Sequence, residues 1–151
     1  MAPPTDCLKL NFDGSSLGNS SVAGIGGVVR DSTASIIFSF AGLIGVRIAN
    51  YAELSALLCG VKVLVDKFSG CSCIFEGDSL NVVKWCKKEQ RLPWELHGLW
   101  LQVMDIVEII SVSFVHVFRE ANALADSLAK SGAHLSSLVV SNDVISLPTQ
   151  Q

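Results

Sequence analysis

Three segments near the start of the chain, one with alternating apolar and polar residues and two that are largely apolar, predict three β-strands. The first strand is expected at 8–12, where every second residue is apolar. The second and third are expected at 22–31 and 34–45, with a tight turn at 31–33 between them. Because short turns join neighbouring strands that run in opposite directions, these segments predict an antiparallel meander.

The spacing of apolar residues becomes helical after residue 50, and strand-like and helical spacings alternate from there on. A long helix is expected at 50–68, with Asn50 as its N-cap. The later elements are predicted as a short strand, two helices, an alternating strand and a helix capped by Asn122, at 71–76, 79–88, 94–109, 111–118 and 122–132. Helical crossovers make the strands that they connect parallel, so the pattern predicts an α/β fold with a mixed sheet.

Composition limits the class of protein. The chain has 151 residues, half of them apolar, which suits a single domain with a substantial core. The longest apolar run, 36–46, is shorter than the roughly 20 residues that a membrane-spanning helix needs. The first residues also lack the features of a secretory signal. We therefore expect an intracellular protein, in the nucleus or the cytoplasm, without a membrane partner.

The charges and the cysteines argue against two simple kinds of site. A net charge of −3 without any basic run argues against a polyanion-binding surface built from lysine and arginine alone. The five cysteines form no CxxC pair and have no histidine at zinc-finger spacing, so we interpret them as structural. They are Cys7, Cys59, Cys71, Cys73 and Cys86.

Four acidic residues stand at the ends of predicted elements or near helix starts, and each has an ordinary explanation when taken alone. Asp13 belongs to an Asp-Gly pair, which is typical of hairpin turns. Glu53 can interact with the start of its helix, and Asp78 can cap the next one. Asp126 can pair with Lys130 one helical turn later.

Taken together, the four acids predict a metal site. Asp13 and Asp78 follow predicted strands, and the ligands of α/β sheets collect beyond the carboxyl ends of strands. Converging carboxylates repel one another and lose hydration unless a cation binds between them. Oxygen ligands in this number suit Mg²⁺ or Mn²⁺, and two such ions can promote in-line displacement at phosphorus. Bound ions would also let an acidic protein accept a polyanion.

Five segments of the chain resemble the ribonuclease H family and follow one another in that family's order. They are LNFDG at 10–14, AGIGGVVRD at 23–31, NYAELSALLCGV at 50–61, FEGDS at 75–79 and HVFREANALADSLAK at 116–130. The likeness is to the short ribonuclease H-like domains of plant genomes that are related to non-LTR retrotransposons. It covers residues 8–132, so the domain is expected there, with 1–7 and 133–151 as peripheral termini.

The resemblance implies a fold, an activity and a cofactor. The implied sheet has five strands in the order 3-2-1-4-5, with the first three antiparallel and helices on both faces. The implied activity is endonucleolytic hydrolysis of the RNA strand of RNA–DNA hybrids by a monomer, with RNA distinguished by its 2′-hydroxyl groups. The implied ligands of two Mg²⁺ ions, for which Mn²⁺ can substitute, are Asp13, Glu53, Asp78 and Asp126.

Five further residues are expected to contact the nucleic acid. Two would act through backbone amides beside Asp13, and the others lie close to the remaining acids in the sequence. They are Gly14, Ser15, Asn50, Ser79 and Arg119.

The chain departs from the family pattern at positions that touch the substrate. Ile48 and Ala49 replace polar residues before the long helix, and Leu80 stands where a polar residue often lies. These losses, together with the acidic composition, leave a second hypothesis open. In it the domain is a catalytically silent interaction module, derived from a retroelement, that binds nucleic acid or protein.

One histidine and the three tryptophans each have a structural and a functional interpretation. His116 alternates with core residues on the last predicted strand, so it is either structural or catalytic. The tryptophans can stack on bases or pack in the core, and their apolar surroundings favour packing. They are Trp85, Trp94 and Trp100.

Overall fold

A computed structural model describes residues 7–16, 21–67 and 72–141, and a six-stranded sheet forms its centre. The strands are β1 (Cys7–Ser16), β2 (Ser21–Arg30), β3 (Ile36–Arg47), β4 (Ser72–Gly77), β5 (Val112–His116) and β6 (Val139–Ser141). Their order across the sheet is β5-β4-β1-β2-β3-β6. β1, β2 and β3 are antiparallel neighbours, while β4 runs parallel to β1 and β5 runs parallel to β4.

Within these residues, four helices and two short 3₁₀ turns connect or follow the strands. The helices are α1 (Ala49–Lys67), α2 (Leu80–Cys86), α3 (His97–Val107) and α4 (Ala123–Gly132). The 3₁₀ turns are Trp94–Leu96 and Arg119–Asn122, directly before α3 and α4. Within the described ranges, no helix is both long and apolar enough to cross a membrane.

The sheet confirms the predicted α/β fold but corrects the number of strands. The sequence predicted five strands in the order 3-2-1-4-5, whereas the described residues form six in the order 5-4-1-2-3-6. The first five strands keep the expected neighbours, and the addition is β6, which pairs antiparallel with β3. β6 has three residues, too few for an alternating pattern to reveal a strand.

Two apolar clusters place helices on both faces of the sheet. The larger cluster joins Phe12 and Val29 of the sheet to residues of α1, α2 and α3. The smaller joins Val28 of β2 to Leu128 of α4. Because adjacent residues of a strand point to opposite faces, Val28 and Val29 show that α4 lies on the face opposite α1.

Several helix starts differ from the predictions in ways that affect the site. α1 begins at Ala49, so Asn50 lies inside the helix instead of capping it. Ser79 caps α2, and its Oγ accepts a hydrogen bond from the Val82 amide at 3.3 Å. Asn122 precedes α4 as predicted, but its side chain makes no capping hydrogen bond. The Asn122 side-chain amide instead donates a hydrogen bond to the Phe12 carbonyl on β1.

The tryptophans and cysteines fit packing roles at most positions. The Trp85 indole donates a hydrogen bond to the Arg91 carbonyl, and Trp100 donates one to the Trp85 carbonyl. Trp94 is 82% exposed and is the exception. Burial raises the pKa of Cys59 to about 11 and that of Cys86 to about 12, which keeps both thiols protonated at neutral pH. Cys71 lies outside the described residues.

Candidate active site

Three carboxylates from distant parts of the chain meet at one edge of the sheet. Asp13 of β1, Glu53 of α1 and Asp78 after β4 each offer an oxygen atom, and these atoms lie within 4.8 Å of one another. β1 and β4 are parallel neighbours in which Phe12 pairs with Gly77, so Asp13 and Asp78 follow adjacent positions. Asp13 and Glu53 are buried, and Asp78 is half-buried.

A close approach of α1 to β1 places Glu53 in this cluster. A Cβ atom on Gly14 would lie 2.2 Å from the Ala52 carbonyl carbon and 2.3 Å from the Glu53 amide nitrogen. Only a residue without a side chain lets the two backbones lie so close. The Gly14 amide also donates a hydrogen bond to Asp13 Oδ1 at 3.0 Å. Gly14 therefore positions both carboxylates.

Asp126 is the fourth acid of the site. It lies in the first turn of α4 and lines the same cavity, of about 280 Å³, as the other three acids. Its Oδ2 also forms an ion pair with Lys130 Nζ at 3.0 Å, one turn along the helix. The ordinary i,i+4 pairing and the proximity to the acid cluster thus occur together.

Burial and mutual repulsion raise the pKa values of Asp13, Glu53 and Asp78. Burial raises the pKa of Asp13 to about 7, and the charges of Asp78 and Asp126 add to the effect. Burial and the adjacent Asp13 raise the pKa of Glu53 well above its usual value. Burial also raises the pKa of Asp78, against the opposing charge of Arg119. Ionising these carboxylates together is therefore unfavourable, and a bound cation would offset their repulsion.

The reverse transcriptase-like family model matches residues 11–132, which include all four acids. The chain belongs to the reverse transcriptase-like family. Over 143 residues it is also 35% identical to an Arabidopsis thaliana protein whose name assigns it provisionally to the ribonuclease H proteins. That alignment covers 90% of this chain and 22% of the relative, so the chain spans about a fifth of the relative's length.

Solved ribonuclease H structures resemble this domain closely. The N-terminal ribonuclease H domain of a Mycobacterium tuberculosis protein has a TM-score of 0.80 and 25% identity, and covers 85% of this chain and 94% of its own. Ribonuclease H1 of Halobacterium salinarum has a TM-score of 0.80 and 26% identity, and the match covers 85% of this chain and 98% of that one. LC11 ribonuclease H1, solved with an RNA/DNA hybrid, has a TM-score of 0.79 and 26% identity, and the match covers 84% of this chain and 96% of that one. The expected resemblance to ribonuclease H is confirmed.

The acids of this ribonuclease H-like domain fit a divalent cation. Glu53 Oε2 is buried and has no hydrogen-bond partner among the described residues. A buried carboxylate oxygen without a partner is unfavourable, and it is satisfied if a cation binds there. All the candidate ligand atoms are carboxylate oxygens, the type that Mg²⁺ and Mn²⁺ prefer.

The expected substrate contacts are only partly brought together. Gly14, Ser15 and Arg119 line the cavity with the acids. Asn50 and Ser79 are not among its lining residues, and the Ser79 hydroxyl is used to cap α2. The Gly14 amide is directed at Asp13.

Two asparagines beside the acids were not recognised as site residues from the sequence. Asn11 Nδ2 donates to Asn122 Oδ1 at 3.0 Å, and Asn122 Nδ2 donates to the Phe12 carbonyl at 2.9 Å. A polar residue inside an otherwise buried strand, two positions before Asp13, was the available signal for Asn11. Asn122 carried a competing signal, because asparagine before a helix is typical of an N-cap.

His116 contacts the main chain of the site instead of its cavity. Its Nε2 atom lies 3.3 Å from the Asp78 carbonyl oxygen, and its ring packs edge-on against Phe118 with centroids 5.9 Å apart. The ring is half-buried and is not among the lining residues of the cavity. These contacts are those of a structural residue.

Proposed function

We propose that this domain hydrolyses the RNA strand of RNA–DNA hybrids endonucleolytically, with two Mg²⁺ ions as cofactors and Mn²⁺ as a possible substitute. The single observation that carries the proposal is the cavity in which all four acids meet, with Glu53 Oε2 buried and unpartnered there among the described residues. The likeness to LC11 ribonuclease H1, which binds an RNA/DNA hybrid, supports the choice of substrate.

The four acids of the cavity have a direct role in this proposal. Asp13, Glu53, Asp78 and Asp126 hold the ions and are the catalytic residues. When bound, the ions supply an activated water and compensate the charge that develops on the leaving oxygen. Ion binding would favour the ionised forms of Glu53 and Asp13, because carboxylates coordinate metal in the ionised form.

Substrate contacts complete the proposed site. Arg119 and Ser15 border the acids and would contact the phosphates and sugars of the RNA strand. Gly14 would contribute its backbone next to them, and Asn50 and Ser79 would contact the hybrid outside the cavity. Since phosphates carry negative charge, the ions and Arg119 together would offset the repulsion of a chain whose net charge is −3.

The likeness to an Arabidopsis thaliana protein and to a reverse transcriptase-like family supports an origin in a plant retroelement. A nucleic-acid substrate also favours a location inside the cell, in the nucleus or the cytoplasm. Both statements are proposals.

Cleavage of a labelled RNA–DNA hybrid tests the activity. We expect Mg²⁺-dependent cleavage of the RNA strand, with duplex RNA and duplex DNA left intact. Asp78→Asn removes one ligand and should lower the rate at least about 100-fold while thermal stability is kept or increased. Asp105→Asn removes the same charge from the exposed face of α3 and should cleave like the wild type. Equal rates for wild type and Asp78→Asn would refute the proposal.

A second candidate function rests on two exposed apolar side chains. Ile48 and Leu80, at positions where polar substrate contacts were expected, are 49% and 47% exposed. This observation favours the non-catalytic module that binds nucleic acid or protein. Calorimetric titration separates the two functions: binding of Mg²⁺ or Mn²⁺ at millimolar concentrations supports the nuclease, and its absence supports the module.

A further inference from the structure

A buried pair of amide side chains links β1 to the turn directly before α4. Asn122 is 1% exposed and Asn11 is 4% exposed, on the sheet face that α4 covers. Asn122 donates to the Phe12 carbonyl at 2.9 Å and accepts from Asn11 at 3.0 Å. Asn11 donates its second amide hydrogen to Glu76 Oε1, also at 3.0 Å. Both side chains are therefore held in one orientation.

The hydrogen bonds of Asn122 connect the two elements that carry Asp13 and Asp126. Phe12 is the residue directly before Asp13 on β1. Asn122 lies about one helical turn before Asp126, at the start of α4. The bond from Asn122 to the Phe12 carbonyl thus sets where the first turn of α4 lies relative to the end of β1.

Close packing alone does not determine how α4 is oriented over the sheet. Gly24 and Gly26 let α4 pack against β2, since a Cβ atom on either would lie 2.2 to 2.4 Å from the α4 backbone. Such contacts determine how closely the helix approaches the sheet, but they have little directional preference. Hydrogen bonds are directional, and a buried carbonyl that loses its donor is costly. Asn122 therefore gives α4 a defined orientation over β1.

We propose that Asn122, supported by Asn11, is a positioning residue that sets the geometry of Asp126 and Asp13 for divalent-cation binding. In this proposal Asn122 does not touch the cation; it acts through Asp126 on α4 and Asp13 on β1. The inference rests on the proposed metal site and adds a determinant of its affinity. Residues that orient metal ligands typically change affinity by roughly 10- to 100-fold when they are lost.

Calorimetric titration of Asn122→Ala with Mn²⁺ and Mg²⁺ tests this role. We expect roughly 10- to 100-fold weaker binding than in the wild type. The matched control is Val103→Ala, which opens a cavity at a fully buried position of α3 and lowers stability by another route. It should bind metal like the wild type. Cleavage of the hybrid by Asn122→Ala should need more Mg²⁺ and recover at high Mg²⁺.

A second variant keeps the test decisive if Asn122→Ala folds poorly. Asn11→Ala retains the bond from Asn122 to Phe12 and removes its support, so we expect a smaller loss of affinity in the same direction. Unchanged metal affinity in both folded variants would overturn the inference, as would an equal loss in Val103→Ala. A wild type that binds no metal would instead overturn the proposed function, which makes the two failures distinguishable.

Discussion

Burial of Asp13 favours its neutral form, whereas the proposed metal binding requires its ionised form. Asp13 is 3% exposed and is surrounded by Glu53, Asp78 and Asp126. Burial raises its pKa to about 7, compared with 3.8 in an unfolded chain. The folded state therefore binds a proton over a pH range in which the unfolded state has already released it. Without metal, this contribution destabilises the fold as pH rises from about 4 to about 7.

We expect Asp13→Asn to remove this pH dependence from the metal-free protein. Its free energy of unfolding relative to the wild type should increase between pH 5 and pH 8 by roughly 2 to 3 kcal/mol, because the interval from pH 5 to the folded-state pKa of about 7 falls in this range. Urea denaturation in the presence of a chelator measures the difference. Asp105→Asn, on the exposed side of α3, should keep the wild-type pH profile. Parallel profiles for wild type and Asp13→Asn would contradict the interpretation.

The elements of this domain pack backbone against backbone where the site is built. α1 lies against β1 at Gly14, and α4 lies against β2 at Gly24 and Gly26. Each helix can approach its strand this closely because glycine has no Cβ atom. These contacts bring Glu53 and Asp126 to the acid cluster from opposite faces of the sheet. Substitutions at these glycines consequently affect both stability and the site.

We expect Gly14→Ala to lower the free energy of unfolding by at least about 2 kcal/mol, since its Cβ atom would overlap the α1 backbone. Gly98→Ala is the matched control, because a Cβ atom there meets nothing within 4 Å. Gly98 lies in α3, so alanine should be neutral or stabilise by about 0.5 to 1 kcal/mol. Chemical denaturation measures both changes. Equal effects would show that the close approach at Gly14 is relaxed easily.

At the scale of the whole molecule, a cavity that four acids share is the feature through which metal can affect stability. The chain has a net charge of −3, and four acids share the cavity at the sheet edge with two cations, Arg119 and Lys130. Lys130 pairs with Asp126, so Arg119 is the main counter-charge for Asp78. A divalent cation that binds only to the folded state must then stabilise the whole domain.

We expect Mg²⁺ or Mn²⁺ at about 100 times its dissociation constant to stabilise the domain by about 2.7 kcal/mol. For a domain of this size that corresponds to an increase in Tm of roughly 5 to 10 °C. NaCl at the same ionic strength should produce a smaller increase, because it only screens the repulsion. Asp78→Asn should lose most of the metal-specific part. An identical response to NaCl and Mg²⁺ would rule out a specific site.

The sequence by itself determined the order of the helices and of the first five strands and the family, and it singled out the four acids that line the cavity. These properties depend on local periodicity or on residue types at recognisable positions, such as Asp13 after a strand and Glu53 near a helix start. The meeting of the acids could also be anticipated, because β1 and β4 were expected to be parallel neighbours that end at one edge.

Only the tertiary structure decided the remaining features. β6 is too short for a pattern and exists because β3 offers it a partner. Asn122 has the local sequence of an N-cap, yet its amide is used by Phe12, 110 positions away in the chain. Ser79, which is expected at the substrate, also caps α2. Local sequence specifies what a side chain can bond to, whereas packing of distant segments specifies which partner is within reach.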